Sequence, residues 1–436
     1  MKNFIAKFTL ITILFSGQPL LAQNLVDIYQ LALLQDTRLL IAEADYLVAI
    51  EALPIAKSVR RPQVFFGLEA GAHDSDNSPL PDNTSESYGY SLNLTQNLYN
   101  HASISDVRAA DASLVAQLAV VQAARQDLIL RTAQAYFTIL AAQDNAEFTY
   151  SERNSISRQL EQAQKRFEVG LIAITDVHEA QARFDIAEAQ VILADNILED
   201  SYQALQVIIG EAPSRNLSRL GDDLKLIIPI PAIAESWVEL AMNNNRSLLA
   251  AQANQKALKY EREKFDKAYY PVVDLTARYS GIESTNEILP DNYQNDLSLR
   301  LELLMPLYTG GRISAERRQS ASAYQAAKTT TLLQSRLASQ QTRVAYSGVV
   351  SGISQVKALK QAYKSSNIAL DATRAGFEVG TRTSVDVLIS LRETFRTLRD
   401  YAASRYQYLI NTLKLRQAAG ILEESDLHKI NRWLTP

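Results

Sequence analysis

Cysteine is absent from all 436 residues. That absence excludes disulfide frameworks, thiolate metal sites and anchoring through a lipid-modified N-terminal cysteine. Histidine is scarce: His73, His101, His178 and His428 show no metal-ligand spacing. No nucleophile elbow, phosphate loop or dinucleotide fingerprint accompanies them. The sequence thus carries no catalytic, cofactor-binding or metal-binding constellation, and no enzyme is expected. Beyond the N-terminus, no stretch approaches the roughly 20 uninterrupted apolar residues of a membrane-spanning helix. Entry into a bilayer would therefore require a closed β-barrel, the other architecture that satisfies every backbone hydrogen bond in lipid.

The N-terminus is the exception to this apolar poverty. Lys2 and Lys7 precede the apolar run Phe8 to Phe15, and Gly17 and Pro19 come after it, before Ala22. This is the layout of a secretory leader over residues 1–22, although Leu20 stands where a small residue is usual. The run is too short to span a bilayer; its alternative is a short buried helix. Removing Lys2 and Lys7 with the leader takes the net charge from −4 to −6. An acidic exported chain is a poor partner for nucleic acid.

What the sequence does contain is a copy of itself. LALLQDTRLLIAEA at Leu31 returns as LAMNNNRSLLAAQA at Leu240, 209 residues later, and Pro62 returns as Pro271 at the same spacing. NLY at Tyr99 meets PLY at Tyr308, and FEVGLIAITDV from Phe167 meets FEVGTRTSVDV from Phe377 after a one-residue adjustment. The mature chain is a tandem duplication, 23–229 and 230–436, of a unit far longer than solenoid repeats.

Each copy predicts the same order of elements. A helical segment, Leu25 to Val59 or Ile233 to Lys267, comes first. After Pro62 or Pro271 the apolar period changes from 3.6 to 2, giving β-hairpins over 62–98 and 271–307, with a polar loop, HDSDNSPLPDNTSES, in the first. In the second, Val273, Leu275, Ala277 and Tyr279 alternate with Asp274, Thr276, Arg278 and Ser280; Leu297, Leu299, Leu301 and Leu303 alternate with Asp296, Ser298, Arg300 and Glu302. Such strands suit a transmembrane barrel, or a soluble hairpin with one face on a core. Four strands cannot enclose a water-filled lumen, since even eight make a barrel just wide enough for side chains. Any pore would need several chains.

A very long helix comes next, 102–168 or 312–378, and then a return helix, 176–209 or 386–419. The first long segment has neither proline nor glycine, and its residues would extend roughly 100 Å at 1.5 Å each. Alanine, glutamine, serine and arginine are spread around the cylinder, so these helices suit close side-by-side packing. Gly170 and Gly380 fit left-handed stops at the hairpin tips, with Thr or Ser before the next helix.

The duplicated layout, the NLY and PLY junctions, FEVGLIAITDV and above all VGTRTSVDVL resemble the TolC family of outer-membrane channel proteins across essentially the whole mature chain. The resemblance implies a homotrimer with a 12-stranded β-barrel, four strands per chain, continued by an α-helical barrel through the periplasm. It implies an exit duct for efflux pumps or type I secretion, gated at the helical tips, with a periplasmic adaptor protein and an inner-membrane transporter as partners and outer-membrane lipid around the barrel. It implies no cofactor. The alternative is an exported structural or adhesive helical protein without a pore.

Differences between the copies pick out candidate gate residues. Ile172 in the first copy becomes Arg382 in the second, and Ala173 becomes Thr383. Arg382 is either a solvated charge or, as the family suggests, a lock reaching Asp176 and Thr175 of a neighbouring hairpin, for which a bidentate arginine–carboxylate contact is suited. Gln159 matches a further family tip position. Asp176 and Asp386 fall in first helical turns, where Thr383 with Asp386 reads as a capping box. In a trimer Asp386 would also form a ring of negative charge, as in cation-selective constrictions. Two departures stand out: the family's second aspartate is Ile389 here, which predicts weaker cation block, and a family tyrosine is Phe377, which leaves the lock resting on Arg382.

Overall fold

A computed structural model describes residues 22–75, 83–286 and 292–435. The expected leader, apart from Ala22, lies outside them, as does the middle of the polar loop in the first hairpin. The first repeat contains helices α1 (Leu25–Gln35) and α2 (Thr37–Ser58), strands β1 (Gln63–Ser75) and β2 (Asn83–Tyr99), helices α3 (His101–Glu168) and α4 (Ile174–Ile209), and the short strand β3 (Arg219–Leu220). The second contains α5 (Ala234–Asn244), α6 (Arg246–Asp266), β4 (Val272–Asn286), β5 (Asn292–Leu304), α7 (Arg312–Glu378), α8 (Ser384–Ala418), α9 (Glu424–Asn431) and β6 (Leu434–Thr435).

The single first helix expected in each copy is in fact two, and the reason is a polar residue at equivalent positions. Asp36 ends α1 with extended backbone, and its carboxylate accepts the Leu39 amide at 2.9 Å. Asn245, 209 residues later, caps α6 through the Leu248 amide at 3.1 Å. A side chain that takes an amide three residues on satisfies a helix start and so ends the preceding helix. Asp36 is also gripped by Arg131, whose two terminal nitrogens donate to its two oxygens at 2.8 and 3.0 Å. Burial works against that carboxylate, but the Arg131 and Leu39 hydrogen bonds bring its pKa below the ordinary value.

The chain divides into two compact units, with α3 and α7 passing from one into the other. One unit holds the sheet, in order β1-β2-β4-β5 with every neighbour antiparallel. The β2–β4 pairing, with Leu92 opposite Tyr279 and Leu94 opposite Ala277, fuses the hairpins of the two repeats. The polar stretch expected as a loop is strand over most of its length, because the ladder runs on to Ser75 opposite Asn83. Backbone hydrogen bonds carry a ladder whatever the side chains.

Registers align the two faces across all four strands. Val64, Phe66 and Leu68 of β1 share a face with Leu94, Leu92 and Tyr90 of β2, Ala277 and Tyr279 of β4, and Leu299 and Leu297 of β5. The opposite face carries Glu69, Asn93, Arg278, Asp274, Arg300 and Glu302. The apolar face is uncovered: Leu297, Leu299, Leu301 and Leu303 are between 65% and 77% exposed. Among the described residues, the outer strands β1 and β5 pair on one side each.

The other unit is built mainly on helices and holds a large buried core. Tyr136 and Phe137 of α3 are fully buried with Leu205 and Ile209 of α4 and Leu409 and Leu413 of α8. The Phe137 ring stacks on Tyr406 at 5.9 Å, and the Tyr136 hydroxyl donates to the Ser218 carbonyl at 2.7 Å. Buried aromatic rings join the aliphatic side chains here, and their hydroxyls find acceptors as buried hydroxyls must.

Candidate functional site

The candidate site is the pair of hairpin turns, α3 to α4 and α7 to α8, both within the helical unit. Their backbones are equivalent. In the first, Gly170 has φ 78°, its amide donates to Phe167, and the Leu171 amide reaches back to the Arg166 carbonyl at 2.9 Å. In the second, Gly380 has φ 83°, its amide donates to Phe377, and the Thr381 amide reaches the Gly376 carbonyl at 2.8 Å. This is a helix C-terminus closed by two reverse bonds through a left-handed residue, a conformation that glycine adopts without a Cβ penalty.

The two return helices begin differently. Helix α8 starts at Ser384, two residues earlier than expected, and has a full capping box: the Asp386 amide donates to the Thr383 hydroxyl at 3.2 Å, and the Thr383 amide to Asp386 Oδ2 at 2.9 Å. Helix α4 starts at Ile174 behind Ala173, which offers no side-chain cap. The expected Thr or Ser cap therefore holds in the second copy alone, and Thr175 lies inside its helix. Hydrogen bonds from the Thr383 amide and hydroxyl, then the Arg382 charge, hold Asp386 below the usual carboxylate range.

Within one chain the proposed lock residues do not meet. Arg382 is exposed and makes no ion pair among the described residues; its amide donates to the Gly376 carbonyl at 3.2 Å. Asp176 and Gln159 are half-buried and Thr175 is exposed, with no side-chain partner among the described residues. The stem of Arg382 lies against Gly376, where an added Cβ would stand 2.8 Å from its Cγ. Ile389, where the family carries its second aspartate, is exposed.

The tips are level with one another. Ile156, Leu160 and Ala163 of α3, Ala180 and Ala187 of α4, Leu370 of α7 and Val387, Leu388 and Leu391 of α8 form one buried cluster, against which Ile172 and Phe377 pack. Further up, Arg399 of α8 donates to Glu152 of α3 at 2.7 Å, and Glu152 is only 3% exposed. The Tyr406 hydroxyl donates to Asp144 at 2.7 Å; burial nonetheless pushes the Asp144 pKa up. Sequence reasoning missed Arg166, whose guanidinium carbon stands 4.2 Å from the centroid of the Phe377 ring. The one visible signal was that Arg166 occupies the position of Gly376 in the other copy.

Comparison with known proteins gives a consistent result. The family described as outer membrane efflux protein matches residues 28–211 and 237–421, one match in each repeat. The outer membrane protein TolC of Vibrio cholerae is 35% identical over 416 residues, covering 95% of this chain and 94% of that protein. The alkaline protease secretion protein AprF of Pseudomonas aeruginosa is 26% identical, covering 94% and 87%. The solved structure of the Campylobacter jejuni CmeC outer membrane channel superposes with a TM-score of 0.82 at 16% identity, over 94% of this chain and 89% of that one, a likeness of fold.

Proposed function

The chain belongs to the outer membrane efflux protein family, and from that premise we propose that three copies form a gated duct through the outer membrane and across the periplasm. As a family member it is an outer-membrane transport conduit rather than an enzyme, and it works with pump and secretion partners. The finer assembly is our reading.

One observation carries it: a four-stranded sheet with an exposed apolar face, a charged opposite face and two open edges. Exposed apolar strands with free edges are an aggregation hazard in water. They become stable when the edges pair with those of other copies and the apolar face meets lipid. Three such sheets give twelve strands, enough for a water-filled interior. Tyr88 and Tyr293 lie toward one end of the sheet and Tyr99 stands at the other, as interfacial girdles would.

In this reading α3, α4, α7 and α8 line a periplasmic tunnel, and the tips close it. Arg382 of one copy bonds Asp176 and Thr175 of the next, with Gln159 nearby, and three Asp386 carboxylates ring the constriction. That Arg382 and Asp176 form no ion pair among the described residues of one chain supports an intermolecular lock. A periplasmic adaptor and an inner-membrane transporter would engage the tips. A secretion relative such as AprF and the efflux family name support both kinds of cargo. Single-channel recording in planar bilayers tests the proposal. Small, steady conductance is expected, rising when Arg382 is replaced by serine; an unchanged current would remove Arg382 from the gate.

A further inference from the structure

We infer that Arg166 is a second gate residue, an in-chain latch that holds the tip of the second hairpin against the first through the face of Phe377. The inference rests on the gated-duct reading above. Its grounds are separate, because it concerns a contact inside one chain.

Arg166 has no carboxylate partner among the described residues, so the electrostatic contact available to its charge in this chain is the ring 4.2 Å away. A cation over an aromatic face is attracted by the ring quadrupole within about 6 Å. The position is fixed by the turn itself, since the Arg166 carbonyl accepts the Leu171 amide and anchors the first tip. Phe377 is equally constrained: its carbonyl accepts the Gly380 amide, and its ring packs against the tip cluster. The contact therefore joins the last turn of α3 to the last turn of α7, the two segments that must part if one hairpin moves relative to the other.

The repeat explains why the latch is one-sided. Arg166 and Gly376 are equivalent positions, as are Ile172 and Arg382. Each hairpin carries one arginine within four residues of its turn glycine, but in the first it precedes the glycine and lies over Phe377 of the other hairpin of the same chain. In the second it comes after the glycine, and Arg382 forms no ion pair among the described residues. Phenylalanine at 377 suits the first of these roles, for a ring face binds a guanidinium without any hydroxyl.

Arg166→Met keeps the stem and removes the charge; Phe377→Leu keeps the apolar volume and removes the ring; Phe377→Trp offers a better face. The readouts are single-channel open occupancy in bilayers and backbone hydrogen exchange at Gly380 and Thr381 of the detergent-solubilised protein. Both should rise about two- to five-fold in Arg166→Met and in Phe377→Leu, and fall in Phe377→Trp. The double variant Arg166→Met with Phe377→Leu should equal either single one, since the two residues act as one contact. Full additivity of the two changes, or unchanged exchange in Arg166→Met, would overturn the latch. If exchange responds as expected while no variant conducts, the latch stands and the duct reading fails. If Arg382→Ser raises conductance while Arg166→Met moves neither readout, the duct reading stands and the latch fails.

Discussion

At the first hairpin turn an arginine stands at 166 and an isoleucine at 172; at the second, glycine stands at 376 and arginine at 382. The backbones are the same, down to the left-handed glycine and the bond from the residue after it. The chemistry is not. The first turn ends in an uncapped helix with an unengaged Asp176, while the second ends in a capping box that occupies Asp386. Duplication preserved what the turn needs and released what it does not. Among the described residues, one tip thus presents a carboxylate and the other a guanidinium with no ion pair, a complementary pair that two identical tips could not supply. The return helices extend the contrast: α4 carries seven Asp and Glu against one Arg, and α8 three against six Lys and Arg.

The strongest way to break this arrangement is to cut the tie that holds the hairpins together above the tips. Replacing Arg399 with methionine strands Glu152, a carboxylate almost completely buried. Removing one partner of a buried pair costs about 3 kcal/mol or more, because the other charge stays desolvated. The variant should melt well below the parent when followed by circular dichroism in detergent. A melting temperature within error of the parent would mean that water reaches Glu152 and that the second hairpin is held by the tip cluster alone.

The next effect separates the two readings of Asp386. Thr383→Ala removes the cap and should cost about 1 kcal/mol, while leaving the carboxylate and any cation block in place. Asp386→Ala should remove the block as well; block that survives would leave Asp386 as a cap and nothing more. The pH dependence has a definite sign. Asp386 is held below its ordinary carboxylate value when folded, so its contribution is complete above that ordinary value and is lost as pH falls through the depressed one. The melting difference between parent and Thr383→Ala should therefore shrink in acid and stay constant near neutrality.

Much of this was legible in the sequence, because the repeat supplies an internal comparison. Alternation located the strands and their charged face, and the FEVG repeats located both turns. Three features were not legible. Asp36 and Asn245 split expected single helices, since apolar periodicity runs on through a cap; the signal was an Asp or Asn three residues before a leucine. The β2–β4 pairing joins residues more than 170 positions apart, and no local pattern encodes which hairpins become neighbours. Arg166 looked like an ordinary basic residue near a helix end, because its partner is supplied by the other copy. Periodicity reports what a segment buries; it does not report what the segment meets.

The smallest expected effect on stability is also the sharpest test of the arginine exchange. In Gly376→Ala a Cβ would stand 2.8 Å from Arg382 Cγ and 3.2 Å from Thr381 Oγ1, so the arginine stem must move. Gly376 lies within α7, where alanine is favoured over glycine by about 0.5–1 kcal/mol. The two terms oppose each other, and the melting temperature should change by no more than a few degrees. Gating should not be similarly balanced. Displacing Arg382 weakens its reach toward Asp176 of the next copy, so conductance should rise part of the way toward that of Arg382→Ser, from a protein whose stability is close to the parent's. In the Arg382→Ser background the same glycine change should add nothing to the current, because the side chain it displaces is gone. An equal increment in both backgrounds would show that Gly376 acts through the flexibility of α7, and the glycine would then have no special relation to the arginine six residues on.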